Sequence, residues 1–273
     1  MPFTPAALLV LWFAIVVVAA LVVWAMHPVE VVDHRLKPIF INLDRNTDRR
    51  DHFYNQVKHT DVADLVVVEG IQRFSAVDGR GIRNLLQHVT KEAYMQIVET
   101  ERTRYRKRHS DLTRGGVGCF LSHAAVAKQL LEEPDDGSSL CYLVFEDDAC
   151  IDEKVVSKVR HALARVPDDW DMLVLGDCYS TVSWTNRDLK KYKTWWGMYG
   201  YVVNRQGARK ILDTYVRDKI DKQIDSALSK LCTDGNMHVY GLTTPAVWAN
   251  DSFSTNIQTP VADIPGIDAF ELT

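Results

Sequence analysis

Apolar positions along the chain recur in two rhythms. The run at 142–145 is too short for a typical helix, and its aromatic and β-branched residues suit a buried strand. Residues 38–43, 72–76, 172–175, 199–203 and the pair Val239-Tyr240 read the same way, and the apolar run 65–68 takes the place of a second strand. Helical spacing fills the intervals: 46–58, opened by Asn46 or Thr47 with Asp48 in the first turn; part of 83–108; 118–133; 154–165; a stretch from Gln206; and 223–231. Alternating strands and helices predict an α/β fold, a mainly parallel central sheet with helices on both faces. There is no internal repeat and no low-complexity tract.

The N-terminus breaks this rhythm. Residues 6–26 carry no charge. About 21 residues at ~1.5 Å rise span ~30 Å, the thickness of a bilayer core. A cleaved signal peptide fits less well: no basic residues precede the run, the apolar stretch is too long, and no small-x-small site follows. The expectation is a single-span transmembrane helix at 1–27, a short stem at 28–37 and one α/β domain over 38–273. Arg35 and Lys37 follow the span and no Lys or Arg precedes it, which favours a cytosolic domain.

Composition adds little more. The chain has 273 residues and 47% hydrophobic content, room for one large domain plus an anchor. A net charge of −4 gives no basis for a nucleic-acid partner. Five cysteines cannot all pair within one chain, show no zinc-ligand spacing, and read as small buried residues. Arg102, Arg104, Arg106, Lys107 and Arg108 sit near Glu99 and Glu101 and read as a solvated helix face.

The chemistry is concentrated after the strand at 142–145, where Glu146-Asp147-Asp148 follow without a break. Strand ends of an open α/β sheet face the ligand crevice. Three adjacent carboxylates repel one another unless a cation joins them, and hard oxygen ligands suit Mn²⁺ or Mg²⁺ bridging to a phosphate. The plain alternative is an acidic turn before the next helix. Around this triplet stand Ile39-Phe40-Ile41-Asn42-Leu43-Asp44-Arg45 followed by Asp48-Arg49-Arg50, then Phe74-Ser75-Ala76-Val77-Asp78-Gly79, Gly115-Gly116-Val117-Gly118-Cys119-Phe120-Leu121-Ser122-His123, and Gly200-Tyr201-Val202-Val203-Asn204-Arg205 with Gly207-Ala208-Arg209-Lys210. In this order, over roughly 38–258, the chain resembles glycosyltransferase family 25.

The resemblance implies a nucleotide-sugar-binding fold of GT-A type and an inverting, metal-dependent transfer of a sugar, best guessed as galactose from UDP-galactose. The acceptor is a glycan or a hydroxylated protein side chain. Glu146, Asp147 and Asp148 then hold Mn²⁺ or Mg²⁺, with Asp148 the first choice as direct ligand and Glu146 acting through water. Asn42, Leu43, Arg45, Arg49 and Arg50 are the donor-binding set at the first strand's end, with one of the arginine pair left on the surface. Asp78 and Gly79 form a turn at the ribose or base. Ser122 and His123 are placed in the first turns of a glycine-opened helix, where N–H groups favour anions. Asp225 is the implied base, although Gln223 stands where relatives carry proline; Asp221 and Asp177 remain alternatives. Trp195, Trp196 and Tyr199 suit an acceptor platform, since aromatic faces stack on sugars. Residues 251–258 match a loop able to close over the donor. Eukaryotic relatives imply a Golgi or ER type II anchor, which leaves orientation open. The rival functions are a non-catalytic, saccharide- or protein-binding relative and a sugar nucleotidyltransferase.

Overall fold

A computed structural model describes residues 34–108, 110–255 and 257. The expected transmembrane segment and most of the stem lie outside these residues. Among the described residues no helix is long and apolar enough to cross a membrane.

The strands are β1 (Arg35–Asn42), β2 (Gln72–Ser75), β3 (Leu140–Glu146), β4 (Ala149–Ile151), β5 (Met172–Val174), β6 (Tyr179–Thr185), β7 (Leu189–Trp196), β8 (Gly200–Val203), β9 (Val239–Leu242) and β10 (Val247–Ala249). The helices are α1 (Thr47–Val57), α2 (Val62–Glu69), α3 (Lys91–Thr103), α4 (Arg114–Glu132), α5 (Val155–Leu163), α6 (Arg205–Arg217) and α7 (Ile224–Thr233). Eight strands form one sheet in the order β2-β1-β3-β8-β5-β9-β7-β6, and β10 pairs with β4 in a small ribbon.

The α/β expectation holds, but the sheet is mixed rather than mainly parallel. β1 runs parallel to β2 and β3, and β5 to β9. β8 is antiparallel to both neighbours, β3 and β5. β7 is antiparallel to β9, and β6 and β7 form a hairpin. Strand β6 gave no apolar signal because it is an edge strand whose side chains are almost all exposed.

The run 65–68 is helical, not a strand. Val62 and Leu65, one turn apart, bury one face of α2, while Val67 and Val68 project into solvent at 86% and 78% exposure. Asp61, just before the helix, accepts from the backbone N–H groups of Val156 and Ser157, both at 2.8 Å, and so ties α2 to the start of α5. The place beside β1 that a strand there would take belongs to β2.

Alternation along β3 divides the core. Tyr142 and Val144 join the layer formed with Phe120 and Leu130 of α4, Ile211 of α6 and Leu228 of α7. Leu143 and Phe145 point the other way, to Phe53 of α1 and Val159 of α5. Phe40 of β1 stacks on Phe53 with ring centroids 3.8 Å apart. The C-terminal ends of the parallel pair β1 and β3 therefore open on one edge of the sheet, with α1 and α4 flanking them.

Candidate active site: two cavities with a common wall

The acidic triplet begins on the last residue of β3 and continues into the turn before β4. Its members face three different environments. Asp147 is buried, and its Oδ2 accepts from Asn42 Nδ2 at 2.8 Å and Asn46 Nδ2 at 3.0 Å. Its Oδ1 accepts from Arg49 Nη1 at 2.7 Å. Both oxygens are thus engaged in tying the turn to β1 and α1. Asp148 is different: its Oδ1 is buried without a hydrogen-bond partner. Burial, then Glu146 and Asp147, push its carboxyl up to about 7, against the pull of Arg49.

Glu146 is the centre of a third arrangement. Its Oε1 lies 2.8 Å from His123 Nε2 and 3.7 Å from Cys119 Sγ. His123 Nδ1 in turn lies 2.8 Å from the Tyr201 hydroxyl.

A cavity of about 310 Å³ opens over these groups. Asn42, Leu43, Arg45, Arg49, Asp78, Gly79, Ser122, His123 and all three acids line it, so the expected donor-binding set converges except for Arg50. Arg50 lies on the outer side of α1 and pairs with Asp51 at 3.3 Å. Asn42 is held on all sides: its Nδ2 also donates to the Asn46 carbonyl at 3.1 Å, its side-chain oxygen accepts from Arg73 Nε at 2.9 Å, and its carbonyl accepts from Ala76 N at 3.0 Å and Arg73 Nη2 at 3.2 Å. Arg45 pairs with Asp78, which also caps a single 3-10 turn by accepting from Arg80 N at 3.0 Å.

Gly79 belongs to packing as much as to the cavity. A Cβ there would lie 1.9 Å from the Arg114 carbonyl oxygen, and one on Gly118 would lie 2.4 Å from the Val77 oxygen. The glycines let the turn after β2 press against the first turns of α4. Helix α4 itself begins earlier than the glycine pattern suggests, at Arg114, where Thr113 Oγ1 accepts from Gly116 N at 2.9 Å. Ser122 and His123 therefore sit about two turns into the helix, beyond reach of its N-terminal dipole. Ser122 Oγ accepts from Val77 N at 2.9 Å and donates to the Gly118 carbonyl at 2.7 Å.

The C-terminal loop closes one side. Phe253 lies under the Arg49 guanidinium at 5.0 Å, Arg49 also bonds the Ser254 carbonyl, and Thr113 bonds the Ile257 carbonyl.

A second cavity, about 360 Å³, adjoins the first: Cys119, Glu146 and Ile257 line both. It contains Asp225, Trp196 and Tyr199 together with Arg106, Cys178 and Gln223. The expected base and two of the three expected platform aromatics thus meet in one space. Asp225, in the first turn of α7, accepts from Gly197 N at 3.1 Å and Ser226 N at 2.7 Å. Burial pushes its carboxyl up, those two N–H groups oppose the shift, and Glu146 adds to it. Gln223 takes over where proline was expected: its Nε2 donates to the Asp111 carbonyl at 3.1 Å, and its amide fills the space above Gly116.

Three sequence expectations find no place here. Trp195 is fully buried and stacks on Tyr192 at 5.6 Å, because side chains alternate along β7 and only Trp196 faces the cavity. Asp177 is locked by Lys190 Nζ and the Tyr192 hydroxyl, each at 2.6 Å. Burial would raise its carboxyl, but those hydrogen bonds hold it below its ordinary value. Asp221 is exposed, pairs with Lys222 at 3.2 Å and lines neither cavity.

Two residues read as bland in the sequence belong to the site. Arg106, taken for a surface cation, is buried in the second cavity wall. Cys119 stands on the common wall; its four-residue spacing to His123 puts both on one helix face, a signal available in the sequence.

A family profile described as "Glycosyltransferase family 25 (LPS biosynthesis protein)" matches residues 36–228. Procollagen galactosyltransferase 2 of Homo sapiens is 27% identical over 183 residues, covering 63% of this chain and 26% of the relative. A "Glycosyltransferase 25 family member" of Aedes aegypti is 26% identical over 189 residues, 66% of this chain and 28% of the relative. A Bos taurus relative named "Probable inactive glycosyltransferase 25 family member 3" is 25% identical over 181 residues, 63% of this chain and 28% of its own. The matched region thus spans little more than a quarter of these relatives' length.

Proposed function

The chain belongs to glycosyltransferase family 25, and on that premise we propose that it transfers a sugar from a nucleotide-sugar donor to a hydroxyl acceptor with inversion at the anomeric carbon. The α/β sheet is read as the GT-A type. The first cavity takes the donor, with UDP-galactose the preferred choice because the human relative is named a galactosyltransferase. The second takes the acceptor, a glycan or a hydroxylated protein side chain.

What supports this reading above all is the common wall. A donor between Arg45, Arg49 and Asp148 and an acceptor beside Asp225 would meet at Glu146, where the two cavities join. Asp225 is suited to accept the hydroxyl proton: it faces the acceptor space, and its burial raises its proton affinity above that of an ordinary aspartate. Trp196 and Tyr199 supply faces for the acceptor sugar. Arg45 would turn its guanidinium from Asp78 to phosphate, while Arg49, engaged by Asp147 and the Ser254 carbonyl, would add its charge to the cavity wall.

The residues fit a divalent cation. Asp148, with its unpartnered buried oxygen, would hold it directly, and Glu146 would assist through water. Asp147, with both oxygens engaged, would fix the turn that presents Asp148. Bound Mn²⁺ or Mg²⁺ would supply positive charge for the departing diphosphate. Membrane attachment through residues 1–27 is part of the proposal and rests on the sequence alone.

The bovine relative's name favours a second reading, a non-catalytic binding protein. The placement of Asp148 and Asp225 in adjoining cavities speaks against it. A panel of UDP-sugars with Mn²⁺, read by UDP release, decides. Release of UDP that depends on the metal supports the transferase. UDP binding without turnover, unchanged by a chelator, would establish the binding protein, and release of pyrophosphate would instead make it a nucleotidyltransferase.

A further inference from the structure

Cys119, His123 and Glu146 form a compact set of unlike ligands separate from the unpartnered oxygen of Asp148. One ligating atom from each lies within 4.8 Å of the others, the one such set among the described residues. Cys119 and His123 are four apart on α4 and so project from one face of the helix, while Glu146 enters from the end of β3. We propose that these three side chains form a binding site for a thiophilic divalent cation, Zn²⁺ foremost, at the wall common to the two cavities.

The donor set is the main argument. Sulfur, imidazole nitrogen and one carboxylate oxygen suit Zn²⁺ and are poor for Mg²⁺, which takes oxygen ligands. Zinc bonds of ~2.0–2.3 Å put tetrahedral ligand atoms roughly 3.3–3.7 Å apart. The Sγ–Oε1 separation is already 3.7 Å, and the Nε2–Oε1 separation, 2.8 Å, needs to open by less than about 1 Å. Three protein ligands leave a fourth position for water or substrate, the pattern of reactive rather than structural zinc.

The surroundings supply the second requirement, an oriented imidazole. A metal-bound histidine usually donates its other N–H to a fixed oxygen, and the buried Tyr201 hydroxyl lies 2.8 Å from His123 Nδ1. The two ring nitrogens are held apart in role by their neighbours, Nε2 by Glu146 Oε1 and Nδ1 by the Tyr201 hydroxyl, each at 2.8 Å. A neutral imidazole that ligates through Nε2 carries its proton on Nδ1, where the Tyr201 oxygen can accept its hydrogen bond. Nε2 is thereby freed as a ligand, and the Cys119 thiol releases its proton to solvent. Access requires no unfolding, because Cys119 and Glu146 both line the cavities.

Titration of the reduced, full-length protein with Co²⁺, a coloured stand-in for Zn²⁺, tests this directly. One equivalent should produce a near-ultraviolet thiolate-to-cobalt charge-transfer band, which added Zn²⁺ should bleach and added Mg²⁺ should not. Cys119→Ser, which leaves the other four cysteines in place, should lose the band. Tyr201→Phe, which keeps all three ligands, should lower zinc affinity about 10–100-fold. No band in the wild type, or a band that survives in Cys119→Ser, overturns the site and leaves His123 and Tyr201 as a hydrogen-bonded support for Glu146.

Discussion

Arg49 and Asp147 close a buried ion pair, Nη1 to Oδ1 at 2.7 Å, that joins α1 to the turn after β3. The pair is not isolated. Asp148 Oδ2 lies 3.7 Å from the same guanidinium nitrogen, so one arginine serves two of the three acids. Removing a single partner of a buried pair leaves an uncompensated charge and typically costs about 3–5 kcal/mol. Arg49→Ala strips the cation from both acids and is expected to lower the melting temperature strongly. Asp147→Asn should cost less, because Asp148 remains beside Arg49. Thermal denaturation without metal checks the order, and equal or negligible losses would dismiss the pair as the clasp of the turn.

Asp148 should behave in the opposite way. Asp148→Asn removes a charge at nearly constant volume from a place where burial and two neighbouring acids disfavour it. Metal-free stability is expected to be unchanged or higher, while turnover and metal-dependent UDP binding fall sharply. Wild-type turnover in this variant would exclude Asp148 from holding the cation.

Asp225 should matter for chemistry rather than for donor binding. General-base assistance supplies ~10²–10⁴-fold in rate, so Asp225→Asn should lower kcat by about that factor with UDP affinity near wild type. Asp221→Asn, on the surface, should retain activity. An active Asp225→Asn beside an inactive Asp221→Asn or Asp177→Asn would move the base to that other residue.

Asp225 and Asp177 should also contribute to stability with opposite dependence on pH. Asp225 has a raised carboxyl, so the native state holds its proton more tightly than the unfolded chain does. Its contribution is fully present below the ordinary aspartate value of 3.8 and is lost as pH rises through the raised value. Asp225→Asn should therefore gain in melting temperature relative to wild type as pH increases across that window. Asp177 has a lowered carboxyl, so its contribution is present above 3.8 and is lost as pH falls through the lowered value. Asp177→Asn should be destabilised at neutral pH and approach wild type in acid. Melting curves across pH read both, and slopes of the same sign would contradict the assignment.

Two glycines in the turn after β2 separate packing from chain entropy. A methyl on Gly79 meets the Arg114 carbonyl at 1.9 Å, whereas one on Gly81 meets nothing within 4 Å. Gly79→Ala should destabilise by about 1–3 kcal/mol or more, as overpacking does. Gly81→Ala should be neutral or stabilise by about 0.4–1 kcal/mol through the unfolded state. Equal effects would mean that the turn does not press on α4.

By itself the sequence determined the α/β class, most elements and the neighbourhood of the site. Strands with uninterrupted apolar runs, such as β3, and helices with a clear polar face, such as α5, announce themselves because burial dictates their side chains. The apolar run 65–68 failed because β-branched residues suit either a strand or a short half-buried helix, and only the presence of β2 beside β1 excludes the strand. Strand β6 failed because an exposed edge imposes no pattern. Within the site, the ordered motifs brought Asn42, Asp78, His123, Glu146 and Asp225 to attention, since those residue types carry chemistry wherever they fall. Their division of labour was decided only by tertiary structure. Adjacent acids look alike in a sequence, yet the turn after β3 hydrogen-bonds Asp147 to Arg49, leaves Asp148 Oδ1 buried without a partner, and aims Glu146 at His123. Adjacent tryptophans look alike too, and the pleat of β7 buries one and presents the other. These distinctions depend on side-chain direction and on contacts across nearly a hundred residues of chain, which no local pattern encodes.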